Sequence, residues 1–104
     1  MDPVHVLAII TAKPGQRADI LAAFKANVPA VHAEDGCIEY GAASDTPGVG
    51  AIQTEMGEDT FVVIEKWASL DALKAHAASP HMAAYGAKTK EMIASRVIHV
   101  LSPA

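Results

Sequence analysis

Phe61–Tyr85 reads FVVIEKWASLDALKAHAASPHMAAY, and it divides into a strand, a short helix and the start of a second helix. Alternation over Phe61–Ala68 places Phe61, Val63, Glu65 and Trp67 on one strand face and Val62, Ile64 and Lys66 on the other. Ser69 is a good N-cap, and Asp71 stands in the first turn, where a negative charge suits the helix dipole. The helix it opens carries Leu70, Leu73, His76 and Ala77 on one side, at three- and four-residue spacing. Ser79-Pro80 restarts a helix, with Ser as N-cap and Pro at N1. Its stripe is Met82, Tyr85, Thr89, Met92 and Ile93.

Upstream, Val4–Ala12 (VHVLAIITA) is apolar on both alternating faces, as a strand buried on both sides would be. Lys13-Pro14-Gly15 is a turn. A helix follows with the stripe Ile20, Phe24, Val28 and Val31; Pro29 predicts a kink or break near Val28, and Gly36 ends the segment. Cys37–Ser44 is the second strand, Asp45–Gly50 a loop, and Ala51–Met56 (AIQTEM) a short extra strand before the turn Gly57-Glu58-Asp59. Arg96–Leu101 is the last strand. The order β-α-β-β-α-β, with the second helical region broken in two, predicts one α+β domain over residues 1–104, a ferredoxin-like sandwich. Such a sheet has helices on one face only. Val62 and Ile64 make the other face equally apolar, and a homodimer with sheets face to face would cover it.

Composition narrows the function. The chain is 51% hydrophobic and 19% charged, as a globular domain is. Its net charge of −4, with Lys and Arg scattered, argues against a nucleic-acid or anionic-membrane surface. No apolar run is long enough to span a bilayer, and MDPVHV has no leader character. A single cysteine, Cys37, gives no intrachain disulfide and fits a reducing cytoplasm, with Cys37 as a small buried hydrophobe. There is no GxGxxG or P-loop stretch, no HExxH, no Cys/His cluster and no GxSxG elbow. His76 and His81 are poorly spaced for two metal ligands on one helical face, and Pro80 breaks the register, so no metal is expected.

What remains is a set of polar groups on apolar faces. His76 is either a hydrogen-bonded structural imidazole or a general base in a pocket. Glu65 either pairs with His76 or a tyrosine hydroxyl, or reaches solvent near the strand end. Trp67 is a wall for a flat ligand or the largest core piece. Tyr40 and Tyr85 can donate to a ligand oxygen or serve structure, and His81 is exposed or lines the same mouth. His5 joins the substrate-facing candidates, its alternative being a strand-end histidine near solvent; His32 and His99 read as structural. A small apolar pocket with these groups suits proton abstraction from an aromatic or enolisable substrate, not hydrolysis.

The strand ending E-x-W, the His nine residues after Trp67, the following S-P-H-M-x-x-Y and the earlier EDGCIEYGAASD resemble the antibiotic-biosynthesis-monooxygenase family over essentially the whole chain. Within it, the extended middle segment resembles the small bacterial quinol monooxygenases. The resemblance implies a homodimeric α/β-barrel. It also implies oxygen insertion into quinols or related phenols without metal, flavin or haem, because the substrate supplies the electrons. On this pattern His76 is the base, Glu65 its orienter, Trp67 a wall, and Tyr40 or Tyr85 a donor. Other members suggest a haem-degrading monooxygenase, though VHVLAIITA lacks the Asn those carry on the first strand, an isomerase of a small hydroxy-diketone using a His base, or a non-catalytic stress-response binding module.

Overall fold

The alternation of Val4–Ala12 is realised as strand β1, with every second residue from Val4 to Ala12 buried and those between them half-buried. The structure is a computed structural model and describes residues 2–104; Met1, on which the leader reading begins, lies outside them. After β1 come α1 (Arg17–His32), β2 (Cys37–Ala43), β3 (Thr60–Trp67), α2 (Leu70–Ala77), α3 (Pro80–Thr89), a 3-10 turn at Lys90–Met92, and β4 (Ile93–Leu101). The strands form one antiparallel sheet in the order β2-β3-β1-β4. This is the ferredoxin-like α+β arrangement read from the sequence.

Register sets what each face carries. Val6 lies opposite Glu65 on one side and Val100 on the other, and Ile10 opposite Phe61 and Arg96, so all six point to the helix side. There Ile20, Phe24 and Val31 of α1 close the core against Phe61, Val63 and Trp67. The helices stop short of β4. Ile98 and Val100 face the helix side and are still about half exposed. The opposite face carries Leu7, Ile9, Val62 and Ile64, half-buried, beside the exposed Val97 and Leu101. No helix among the described residues is long and apolar enough to cross a membrane.

Four local expectations are corrected. Pro29 does not break α1, which continues to His32. Pro29 and Lys25, whose carbonyl loses its donor, both lie on the exposed side, where water can take the freed acceptor. Ala51–Met56 is not a strand. Ile52 is 92% exposed, so alternation there has no surface to bury; instead Asp45 accepts from the Met56 and Gly57 amides at 2.9–3.0 Å and closes the loop. The α3 stripe ends at Thr89, and Ile93 already belongs to β4. On α2 the buried side is narrower than its spacing suggested: His76 is buried, Leu73 is partly so, and Leu70 and Ala77 are exposed.

Candidate active site

Strand β3 delivers Glu65 and Trp67 to the helix side two residues apart. Trp67 is fully buried, and its indole Nε1–H donates to Glu65 Oε1 at 2.8 Å. That bond partly offsets the cost of holding a carboxylate 7% exposed. His76 comes from the last turn of α2, whose start is fixed by Ser69 Oγ accepting from the Ala72 amide at 3.1 Å. The imidazole is 3% exposed and lies tilted on Trp67, ring centroids 4.5 Å apart, with the Tyr40 ring edge-on at 5.4 Å.

A second carboxylate completes the cluster. Glu34 sits in the turn between α1 and β2. Gly36 in that turn has φ of 82°, and a Cβ placed there would lie 2.6 Å from Ala72 Cβ, so the turn is pressed against the start of α2. Glu34 Oε2 lies 2.8 Å from His76 Nδ1 and 2.8 Å from His81 Nε2. A carboxylate oxygen only accepts, so both ring nitrogens carry hydrogen. Ser79 is the N-cap residue of α3, as expected, but its side chain does not cap: the hydroxyl donates to the His76 carbonyl at 2.7 Å, and its oxygen lies 3.2 Å from His81 Nε2. His76 Nε2 is 3.8 Å from Glu65 Oε1, longer than a hydrogen bond.

On the other side of Glu65 is a cavity of about 560 Å³ between the sheet, α1 and α3. Ala8, Ile10, Phe24, Val63 and Ile98 give it apolar walls; Glu65, Tyr40, Tyr85 and Thr89 give it polar groups; Lys90 and Arg96 stand at the β4 side. Of the residues singled out in the sequence, Glu65, Tyr40 and Tyr85 line it. His76 and Trp67 lie behind Glu65 and are not lining residues, since the indole is committed to the carboxylate and the imidazole to Glu34. His81 lines a shallower hollow of about 210 Å³ with Tyr85 and Lys88. His5 is on the opposite sheet face, because period-2 alternation separates it from the buried Val4 and Val6.

The electrostatics separate the two glutamates. Burial pushes the Glu65 carboxyl above its usual range, and the Glu34 charge adds to this; the Trp67 N–H and His76 oppose it. Burial also works against Glu34, but hydrogen bonds from His76 and His81, and their positive charge whenever the rings are protonated, outweigh it and hold its carboxyl below the usual range. Burial, then the Glu65 charge, pushes the Tyr40 phenol up strongly; burial raises Tyr85 too, with Arg96 opposing. Both tyrosines therefore present O–H donors. Burial first, and then the charges of Glu34 and Glu65, raises the Cys37 thiol; the residue is half-buried against the core, not buried as expected.

Glu34, His76 and His81 are also the set among the described residues whose donor atoms could hold a metal ion. A tetrahedral zinc spaces its donors about 3.3 Å apart, given bonds of about 2.0–2.1 Å. The 2.8 Å separations here are hydrogen-bond lengths. The arrangement can take a proton from a cavity-bound hydroxyl through Glu65 and can present O–H donors to a developing oxyanion.

Sequence reasoning missed Glu34, Lys90 and Arg96. Glu34 is 42 residues from His76, and only the β2–β3 pairing, Tyr40 opposite Glu65, brings its turn to α2. Its sequence signals were its place just ahead of Gly36 and the strand, and its position at the head of EDGCIEYGAASD. Lys90 follows the end of α3 and Arg96 lies in β4, and nothing local tells that they face a cavity.

The antibiotic biosynthesis monooxygenase family model matches residues 3–88. The chain is 37% identical over 100 residues to the "Probable quinol monooxygenase YgiN" of Escherichia coli, covering 94% of this chain and 95% of that protein. The solved structure of Rv0793 from Mycobacterium tuberculosis superposes with a TM-score of 0.80 at 29% identity, over 98% of this chain and 95% of that one. PA3566 from Pseudomonas aeruginosa shares the fold, with a TM-score of 0.83 at 24% identity over 100% and 96% of the two chains.

Proposed function

Because this chain belongs to the antibiotic biosynthesis monooxygenase family and is an oxidoreductase, we propose that it oxidises quinols or related phenolic aromatics to quinones with O2. The observation that carries this reading is Glu65, a carboxylate of raised pKa facing a cavity with apolar walls, with His76 behind it and two tyrosine hydroxyls beside it. The similarity to a protein named as a quinol monooxygenase supports the substrate class.

In the proposed reaction Glu65 takes the phenolic proton. The phenolate passes one electron to O2, and the phenoxyl radical and superoxide combine at a ring carbon bearing hydrogen. The peroxide is protonated and then loses water with that ring hydrogen. Phenol plus O2 thus gives quinone plus water, with no electrons from a cofactor. Tyr40 and Tyr85 supply donors to the phenolate oxygen. Glu65 and His76 are the catalytic pair, with Trp67 keeping the Glu65 carboxylate in place. The half-covered sheet face is the proposed homodimer surface, and the lone thiol Cys37 suits a cytoplasmic setting. Ile64→Lys places a charge on that face. It should convert a dimer to monomer in sedimentation; a wild type that sediments as monomer sinks the pairing.

Anaerobically reduced menadiol mixed with protein and then aerated should consume O2 faster than buffer and take one ¹⁸O from ¹⁸O2 into the product. Equal rates for wild type and His76→Ala would overturn the assignment. A second reading has one observation in its favour: Lys90 and Arg96 at the cavity suit an anionic substrate, as an isomerase of a phosphorylated hydroxy-diketone would need. Isomerisation without O2 uptake would identify it.

A further inference from the structure

We propose that Glu34 is a positioning residue for this chemistry: clamped by His81, it keeps the proton of neutral His76 on Nδ1 and leaves Nε2 bare towards Glu65, so that His76 stores the proton Glu65 removes. The inference rests on the oxidation proposed above and assigns a role to a side chain that does not touch the cavity.

Three observations carry it. Glu34 Oε2 accepts from His76 Nδ1 and His81 Nε2, both at 2.8 Å, so the carboxylate has little freedom and the His76 tautomer is set. The turn bearing Glu34 is itself fixed, with the Gly36 carbonyl accepting from the Ala68 amide at 2.8 Å and Gly36 pressed on Ala72. The remaining ring nitrogen, Nε2, has Glu65 Oε1 at 3.8 Å. The groups facing the imidazole are therefore Glu34 from the α1–β2 turn, Glu65 and Trp67 from β3, and Tyr40 from β2, with His81 of α3 reached through Glu34.

The proposed reaction removes a proton early and needs one back when the peroxide forms. As the substrate O–H breaks, a carboxyl O–H forms on Glu65. That bond then breaks as an N–H forms at Nε2, once the 3.8 Å gap tightens on substrate binding, as catalytic hydrogen bonds do. Nδ1 keeps its proton throughout. The path reverses to protonate the peroxide, whose outer oxygen leaves as water. No proton is consumed, and the O2 of the proposed reaction is the only oxidant. Holding the proton on His76 keeps it off the phenolate while O2 reacts.

Nitrogen-15 shifts of the His76 ring, recorded without substrate, test the positioning directly. Wild type should show the Nδ1–H tautomer at neutral pH, and Glu34→Leu should lose it, while Glu34→Asp should restore it. With menadiol, Glu34→Leu should lower kcat by about 10²-fold and leave KM within about twofold, because the cavity is untouched. His81→Asn, at the more exposed end of the cluster, should lower kcat by less, and serves if the Glu34 variants fold poorly. An Nε2–H ring in the wild type, or kcat unchanged in either kinetic variant, would overturn the proposal. Absence of O2-dependent turnover in the wild type would overturn the oxidation itself, and it is distinguishable because the tautomer is measured on the protein alone.

Discussion

Behind Glu65 most side-chain polar atoms are paired, His76 Nε2 excepted; in front of it most are not, although Thr89 donates to the Tyr85 carbonyl at 2.9 Å. In the rear cluster His76, Glu34, His81 and Ser79 are joined by bonds of 2.7–2.8 Å, and Trp67, packed on His76, donates to Glu65 at 2.8 Å. Across the cavity, Tyr40 O–H reaches only Met82 Sδ at 4.0 Å, and the Tyr85 hydroxyl, Lys90 and Arg96 have no partner among the described residues. The contrast separates two tasks. A cluster that bonds itself holds a proton-transfer group in one geometry without help from a ligand. A surface with unpaired donors keeps them for whatever displaces its water. Glu65 belongs to both, with Oε1 bound by Trp67 and the rest of the carboxyl on the cavity.

The largest effect should come from breaking that boundary. Glu65→Gln keeps an oxygen for the Trp67 N–H and nearly the same volume, but removes the basic carboxylate. On the proposed reaction, kcat for O2 uptake should fall by about 10²- to 10⁴-fold, with far-UV circular dichroism unchanged. Retention of the wild-type rate would move the base elsewhere.

Both sides of the boundary were unequally legible in sequence. Period-2 alternation put Glu65 and Trp67 on one face, and three- and four-residue spacing turned His76 inward; the structure agrees on each. The four-strand order followed from the succession of elements. The rear cluster was not legible because its centre, Glu34, meets His76 and His81 across 42 and 47 residues. Polar residues in turns carry no periodicity, so only the sheet register reveals what they reach. Trp67 was read as a wall or a core piece; its N–H bond to a residue two positions earlier decides where it stands. The cavity's cationic side was hidden likewise, since Lys90 and Arg96 reach it from a tight turn and an edge strand.

A smaller effect should sharpen the rear side alone. Trp67→Phe removes the only hydrogen bond to the Glu65 carboxylate found among the described residues and leaves space where the indole was. A buried acceptor left without its donor costs about 1–3 kcal/mol, so the urea midpoint should fall with the slope unchanged. The Glu65 carboxyl should rise further, since the indole N–H is one of the influences holding it down. A midpoint equal to wild type would mean that the bond contributes nothing to folding.

The smallest effect divides the two carboxylates by sign. Glu34 has its carboxyl lowered from 4.5 in the folded chain, so its contribution is present above that value and is lost as pH falls through the folded pKa. Glu65 has its carboxyl raised from 4.5, so its contribution is present below that value and is lost as pH rises through the folded pKa. Removing each charge should therefore flatten opposite limbs of the stability profile. Relative to wild type, Glu34→Gln should lose most stability at neutral pH and converge with it in acid. Glu65→Gln should compare best at neutral pH, where the wild type must keep a buried carboxylate charged or take up a proton. Thermal melts between pH 3 and pH 8 would measure both. The same dependence in the two variants would mean that His76 couples the glutamates into one titrating unit, and the boundary drawn at Glu65 would then have no electrostatic counterpart.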